Sequence, residues 1–208
     1  QAIGNTLIYV LCTVVTQMVL GLMAAYFLNA PRTRAKSFFR LSIFLPWIIS
    51  TAALALAWRY LYDKSDGPLN LIIRALGFQG VGWLQDVRVA LPAVIVTGIW
   101  WRIGFNMIVY LAALQTISVE LVEAAKIDGA GETTSFFSIV LPLLSPATLF
   151  LLVMNAINSF QVFGQVLIMT EGGPANATNT MVLEIYKNAL QHYEFGYAAA
   201  QSFILVAM

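Results

Sequence analysis

One cysteine, one histidine and few charges leave the chain little of the chemistry on which metal sites and most active sites rest. A single thiol excludes a disulfide within the chain and a thiolate metal site. Cys12 lies inside an apolar run and reads as a buried, inert thiol. His192 stands alone near a few acids, which is no metal-ligand set, and reads as a polar surface residue. Charged residues are 10% of the chain, against about 25% in an average soluble domain. The net charge is +1 and no basic cluster is interleaved with aromatics, so nucleic acid is not an expected partner. No Gly-rich loop carries the Lys and Ser/Thr that cradle a nucleotide's phosphates. What the chain has is apolar surface: 60% of residues are hydrophobic and the mean hydropathy is +0.79. That balance belongs to proteins that cross a membrane several times.

The apolar residues fall into runs at 5–28, 41–62, 89–114 and 136–169. Each is long and uniformly apolar, which predicts helices and not the alternating strands of a membrane barrel. Pro31 ends the first run, and Trp58, Tyr60 and Tyr62 cluster at the end of the second, as interfacial aromatics do. The fourth run exceeds one span; its crossing is expected to end near 159–164, with the rest at or above the interface. Short helices are expected at 69–76, stopped by Gly77, and at 181–190, after the turn signal Glu171-Gly172-Gly173-Pro174. Alternating spans put 29–40 and 115–135 on one side and 63–88 and 170–195 on the other. Arg32, Arg34, Lys36 and Arg40, with Lys126, favour the first pair as cytoplasmic, although Lys64, Arg74, Arg88 and Lys187 lie opposite. No cleavable signal pattern precedes Asn5, and the last apolar stretch, 196–208, falls short of the ~20 residues of a span. The chain is therefore expected to be a segment of a longer protein.

Between the third and fourth runs lies the most informative stretch, Glu123-Ala124-Ala125-Lys126-Ile127-Asp128-Gly129, followed by Ile139-Val140-Leu141-Pro142. Ser118 is placed to cap a short helix over 119–128, and Glu120 suits its positive end. Gly129 is a natural terminator. Leu121, Ala124, Ala125 and Ile127 form an apolar side, and the small alanines admit a partner close to the backbone. Glu123 offers one charge to an Arg or Lys of that partner. A second helix from Glu132 would lead back into the membrane, so that two short helices and a sharp turn form a lever. The rival reading is an amphipathic loop with no partner; the whole pattern at these spacings favours docking.

This loop resembles, position for position, the signature loop of ABC importer permeases. The chain as a whole is similar to the first-type permease of carbohydrate-uptake ABC transporters, the maltose and glycerol-3-phosphate importer group. Asn5-Thr6-Leu7, Leu45-Pro46-Trp47, Trp58-Arg59-Tyr60, Gly67-Pro68-Leu69-Asn70, Tyr110-Leu111-Ala112-Ala113-Leu114-Gln115 and Thr170-Glu171-Gly172-Gly173-Pro174 fit its successive blocks. Ser118 departs from a frequent proline, and Glu171 from a small residue of the turn. The resemblance implies an all-α, polytopic transmembrane helical bundle of the type I importer kind. It would have four full spans plus one truncated, with cytoplasmic coupling helices, in the cell (inner) membrane. It implies a second permease subunit, two ATP-binding cassette subunits that carry ATP and Mg, and an extracytoplasmic solute-binding protein. This chain would hold no cofactor and catalyse nothing. By carry-over, Glu123, Ala124, Ala125, Asp128, Gly129, Ile139, Leu141 and Pro142 belong to the ATPase-coupling segment.

Polar groups within the spans mark a candidate solute path. A charge at a span centre costs about 2.5–3.5 kcal/mol on insertion scales, so Arg102 must face protein or water. Gly98, Arg102 and Asn106 share a helix face, with Phe105 beside them. Asn155 and Ser159 lie one turn apart with Asn158 adjacent, and Trp47 and Thr51 are expected to pair in the same way. Amides that read hydroxyls and flat aromatic faces are what a sugar requires. The competing reading is that these groups bond one another between packed helices. The expected function is inward transport of a sugar or related solute. A glycerol-3-phosphate-like cargo is the first rival. An intramembrane enzyme lacks its catalytic constellation, and a channel or scaffold leaves the 115–135 loop without purpose.

Overall fold

The computed structural model describes residues 1–30, 35–127 and 129–208. Positions 31–34, with Arg32 and Arg34, and Asp128 lie outside the described residues, as do the side chains of Val122 and Lys126. Twelve α-helices and two π-helical turns make up the described chain, with no strand among the described residues. Helix α1 (Ala2–Asn29) and helix α5 (Ala90–Thr116) are each long and apolar enough to cross a membrane. At 1.5 Å per residue they exceed the ~30 Å hydrocarbon core. Counting each broken helix pair as one span raises the number to at most four.

The second run is not one helix. Helix α2 (Lys36–Ile48) ends before Ser50, and α3 (Thr51–Leu61) begins after it. Ser50 is extended (φ −61°, ψ 146°), and its Oγ accepts a hydrogen bond from the Ala53 N–H at 3.4 Å. Pro46 has already removed one backbone donor within α2. The Trp47–Thr51 pairing expected from helical spacing therefore fails, because the helix stops between them.

The fourth run is also broken. A short α7 (Glu132–Ser135) passes into a π-helical turn, Phe136–Val140, then α8 (Leu141–Leu143), then α9 (Ser145–Phe160). The Leu141 N–H reaches back five residues to the Phe136 carbonyl. Pro142 and Pro146 bring no N–H to the ladder, and the two pieces meet at 64° around Leu144. Helix α10 (Gly164–Thr170) is separate. The shorter elements are α4 (Pro68–Ala75), α6 (Val119–Ile127), α11 (Met181–Tyr186), a π-helical turn at Lys187–Gln191, and α12 (Phe195–Ala207).

The chain divides into two compact units. One comprises Gln1–Val14, Ile49–Ile99 and Ala156–Met208; the other comprises Val15–Ile48 and Trp100–Asn155. In the first, Tyr9, Ala55, Tyr62, Val94, Val166 and Leu183 form the core. In the second, Ala25, Leu28, Met107, Tyr110, Leu144 and Leu151 do so. Lipid tails are as apolar as these side chains, so within a membrane close packing holds such cores together. Glycine permits it in the second unit: a Cβ on Gly21 would strike the Asn106 Cβ, and one on Gly104 the backbone of Ile43 and Phe44.

Large apolar side chains point outward along α1, among them Leu11, Val15 and Met23. Cys12 shares that exposure and is not the buried thiol its apolar setting predicts. The packed face of α1 is taken by Tyr9, Val10, Thr13, Val14 and Gln17, which leaves Cys12 on the side a bilayer would cover.

Candidate functional site

The 115–135 loop folds as its residues dictate. Ser118 Oγ accepts from the Glu120 N–H at 3.2 Å at the start of α6. At its end Gly129 adopts φ +86°, and the Ala130 N–H donates to the Ala125 carbonyl at 2.9 Å, the closing bond of a Schellman turn. Glycine takes this left-handed conformation without the penalty of a Cβ. The helix leaves apolar residues uncovered: Val119 is 68% exposed, Leu121 51% and Ile127 86%. Glu123 and Ala124 are exposed as well, and Ala125 is half-buried. Ile139 and Leu141, half-buried, and Pro142, exposed, lie in the bent connection to α9.

The second unit also contains a polar and aromatic cluster. Asn106 and Asn155 are buried, and the Asn155 Nδ2 donates to the Asn106 Oδ1 at 2.6 Å. The Asn106 Nδ2 donates in turn to the Arg102 carbonyl at 3.0 Å. Beside them Trp47 stacks on Phe105 with ring centroids 4.9 Å apart, and Trp101 lies 6.3 Å from Trp47. The Arg102 guanidinium sits 5.3 Å from the centre of the Trp101 ring, within reach of a cation–π attraction. Five of the expected residues thus come together here: Trp47, Arg102, Phe105, Asn106 and Asn155. Trp101 joins them as an unexpected member. Its signal is the Trp100-Trp101-Arg102 run, where one of two indoles must follow the arginine onto the packed side.

Thr51, Asn158 and Ser159 belong to the first unit. Ser159 is buried and its hydroxyl lies 3.2 Å from the Thr13 hydroxyl. Thr51 packs on α10, where its side chain leaves just enough room for Gly164. Asn158 is half-buried. This unit has buried polar groups beyond those expected. The Tyr9 hydroxyl is 3.1 Å from Gln165 Oε1, and the Gln165 Nε2 donates to the Val94 carbonyl at 2.7 Å. Thr6, Tyr9 and Thr13 recur every three or four residues along this part of α1, a helical period legible in the first run.

The Glu171 turn is held from two sides. Glu171 takes a left-handed conformation (φ 54°), and the Lys187 Nζ donates to its carbonyl at 2.9 Å. The Asn5 Nδ2 donates to the carbonyls of Asn176 and Asn179 at 3.0 and 2.9 Å, and the Thr6 Oγ1 accepts from the Met181 N–H at 2.9 Å. Asn179 also donates to the Glu184 carboxylate. The first turn of α1 is thereby fastened to the 170–181 segment.

The family model described as "Binding-protein-dependent transport system inner membrane component" matches residues 17–208. The chain is 38% identical to the lactose transport system permease protein LacF of Rhizobium radiobacter, covering 100% of this chain and 71% of that protein. It is 36% identical to the sn-glycerol-3-phosphate transport system permease protein UgpA of Agrobacterium fabrum, covering 98% and 69%. The sulfoquinovosyl glycerol transport system permease protein SmoG of the same organism is 35% identical, with 98% of this chain and 66% of that protein covered. Among solved structures, a chain of a bacterial alginate ABC transporter, crystallised with an alginate pentasaccharide-bound periplasmic protein, superposes with a TM-score of 0.87 at 25% identity. That match covers 99% of this chain and 72% of the other.

Proposed function

The chain belongs to the family of inner membrane components of binding-protein-dependent transport systems, and from that premise we propose that it imports a sugar or related polyol by alternating access driven by ATP hydrolysed on a partner. The observation that carries this reading is the capped helix α6. Its uncovered Val119, Leu121 and Ile127 give an ATPase subunit an apolar seat, and Glu123 gives it one charged contact. From Gly129 the chain runs through α7, the π-helical turn and α8 into α9, which carries Asn155. Motion imposed on α6 is transmitted along covalent structure to the cluster of Trp47, Phe105, Asn106 and Asn155.

The partners in this scheme are a second permease, two cassette ATPases holding ATP and Mg, and an extracytoplasmic solute-binding protein. The crystallised alginate transporter was captured with its periplasmic protein, which supports the last of these. The loops at 115–135 face the cytoplasm, and those at 63–88 and 170–195 face the binding protein. Stacked aromatics beside paired amides suit the apolar faces and hydroxyls of a sugar. Arg102 beside Trp101 favours, as a second reading, an anionic cargo of the glycerol-3-phosphate kind. Which solute the cognate binding protein retains decides between them.

The test is a reconstituted complex carrying Glu123→Lys or Gly129→Pro. Both variants should insert and assemble in the membrane, and both should lose the stimulation of ATPase activity by loaded binding protein. Full stimulation in either would overturn the assignment of α6.

A further inference from the structure

Gln17 is wholly buried on α1, and neither its amide nitrogen nor its amide oxygen has a hydrogen-bond partner among the described residues. Among those residues it alone buries both an unpartnered donor and an unpartnered acceptor. Such a group is costly in any protein interior, and more so within a membrane, where no water is at hand to compensate. The fold is able to satisfy a buried glutamine. In the first unit Gln165, 2% exposed, accepts from the Tyr9 hydroxyl at 3.1 Å and donates to the Val94 carbonyl at 2.7 Å. An aliphatic side chain would fill the place of Gln17 without the cost, so packing does not account for its amide.

The position of that amide says what does. Gln17 lies one turn before Gly21 on the same face of α1, about 6 Å along the axis. At Gly21 the helix meets Asn106 so closely that an added Cβ would come within 2.5 Å of the Asn106 Cβ. The Asn106 Oδ1 in turn accepts from Asn155 at 2.6 Å. Gln17 thus stands one helical turn from the closed pair of asparagine amides, within the same compact unit. Side chains on a helix lean toward its N-terminus, which carries the Gln17 amide to the near side of the tight contact and keeps it out of that pair.

We infer that Gln17 reads a hydroxyl of the transported solute, its Nε2 donating to the hydroxyl oxygen and its Oε1 accepting the hydroxyl proton of the same or a neighbouring group. The inference rests on the importer function proposed above and extends the solute path to α1, which supplies none of the residues placed on it so far. A hydroxyl both donates and accepts, as the amide does. A phosphate or carboxylate only accepts and would leave the Gln17 oxygen bare, so it is the hydroxylated part of a cargo that Gln17 recognises. In the described state the asparagine pair is joined and Gln17 is closed over. Parting of that pair admits the solute to it.

The experiment uses the intact transporter with its binding protein in proteoliposomes. Lactose, maltose, sorbitol and sn-glycerol 3-phosphate are offered to wild type, and the one carried is compared with its monodeoxy derivatives in Gln17→Met and Gln17→Asn. Methionine matches the length of glutamine without the amide; asparagine keeps the amide one methylene short. In Gln17→Met the apparent affinity for the parent solute should fall roughly fivefold to tenfold, and one monodeoxy derivative should be carried alike by variant and wild type. Gln17→Asn should show a smaller loss, with the same derivative spared. The solute-free Gln17→Met complex should unfold at no lower temperature than wild type, because an unpartnered amide has been removed. Failure of that variant to assemble, or a lower unfolding temperature with every solute weakened alike, would mark a packing role and overturn the inference. Unchanged affinity for the parent solute would overturn it too, and a loss of ATPase stimulation alongside would mark a contact between helices in another state of the cycle. Each of these leaves the importer reading intact. No uptake of any of the four solutes by wild type would instead bring down the proposed cargo, and this inference with it.

Discussion

Asn106 and Gly21 meet where two helices of the second unit pack closely, and each constrains what the other position can hold. Gly21→Val would drive a branched side chain into the Asn106 Cβ. Overpacking of this kind costs about 1–3 kcal/mol. Gly4 lies on the same helix, and a Cβ added there would meet nothing within 4 Å, so Gly4→Val is the matched control. Thermal unfolding of the purified complex should fall for the first variant and stay put for the second. Asn155→Ala removes the 2.6 Å bond to Asn106 and leaves that carbonyl oxygen buried without its donor. Interhelical bonds in membranes contribute on the order of 1 kcal/mol, so assembly should survive. Uptake kinetics should shift severalfold in apparent affinity or in preference among sugars. Unchanged kinetics would remove Asn155 from the solute path.

At the scale of elements, proline placement decides where the helices bend. Pro142 and Pro146 lie four residues apart, so the same stretch of ladder loses two donors and the run turns by 64°. Replacing both by alanine restores the donors and favours a straighter helix. Such a variant should insert normally yet transport less solute per ATP hydrolysed, measured in proteoliposomes. An unaltered ratio would mean that the bend plays no part in coupling. Uniform apolarity makes α1, α5 and the loop between α5 and α9 legible, because length, caps and a glycine terminator are written in the residues themselves. It conceals the break at Ser50, since serine is tolerated inside membrane helices and only its Oγ bond to Ala53 reveals a cap. The expected pairing of Trp47 with Thr51 fails for that reason. Burial of Cys12 fails as an expectation because an apolar neighbourhood does not say which side of a membrane helix is packed. The partners Asn106 and Asn155, 49 positions apart, are visible as polar groups in apolar runs, but only the fold brings them together.

For the molecule as a whole, orientation is the property that the scheme most needs. Ile127 is 86% exposed and Tyr193 73%, so either accepts a cysteine without disturbing a core. In a Cys12→Ser background and with the ATPase subunits left out, Ile127→Cys should react with an impermeant maleimide only from the cytoplasmic side. Tyr193→Cys should react only from the outer side. The reverse pattern would invert the scheme and place the 63–88 and 170–195 loops where no binding protein could reach them.

Distance along α9 gives the bend at Leu144 a quantitative meaning. From Ser145 to Asn155 the rise of an α-helix amounts to about 15 Å. A swing of roughly 10° at one end of such an arm carries the other end ~2.5 Å sideways, nearly the full separation across a hydrogen bond. A small rotation at the proline pair is therefore enough to unlatch the two asparagine amides, with no stretching of the helix between them.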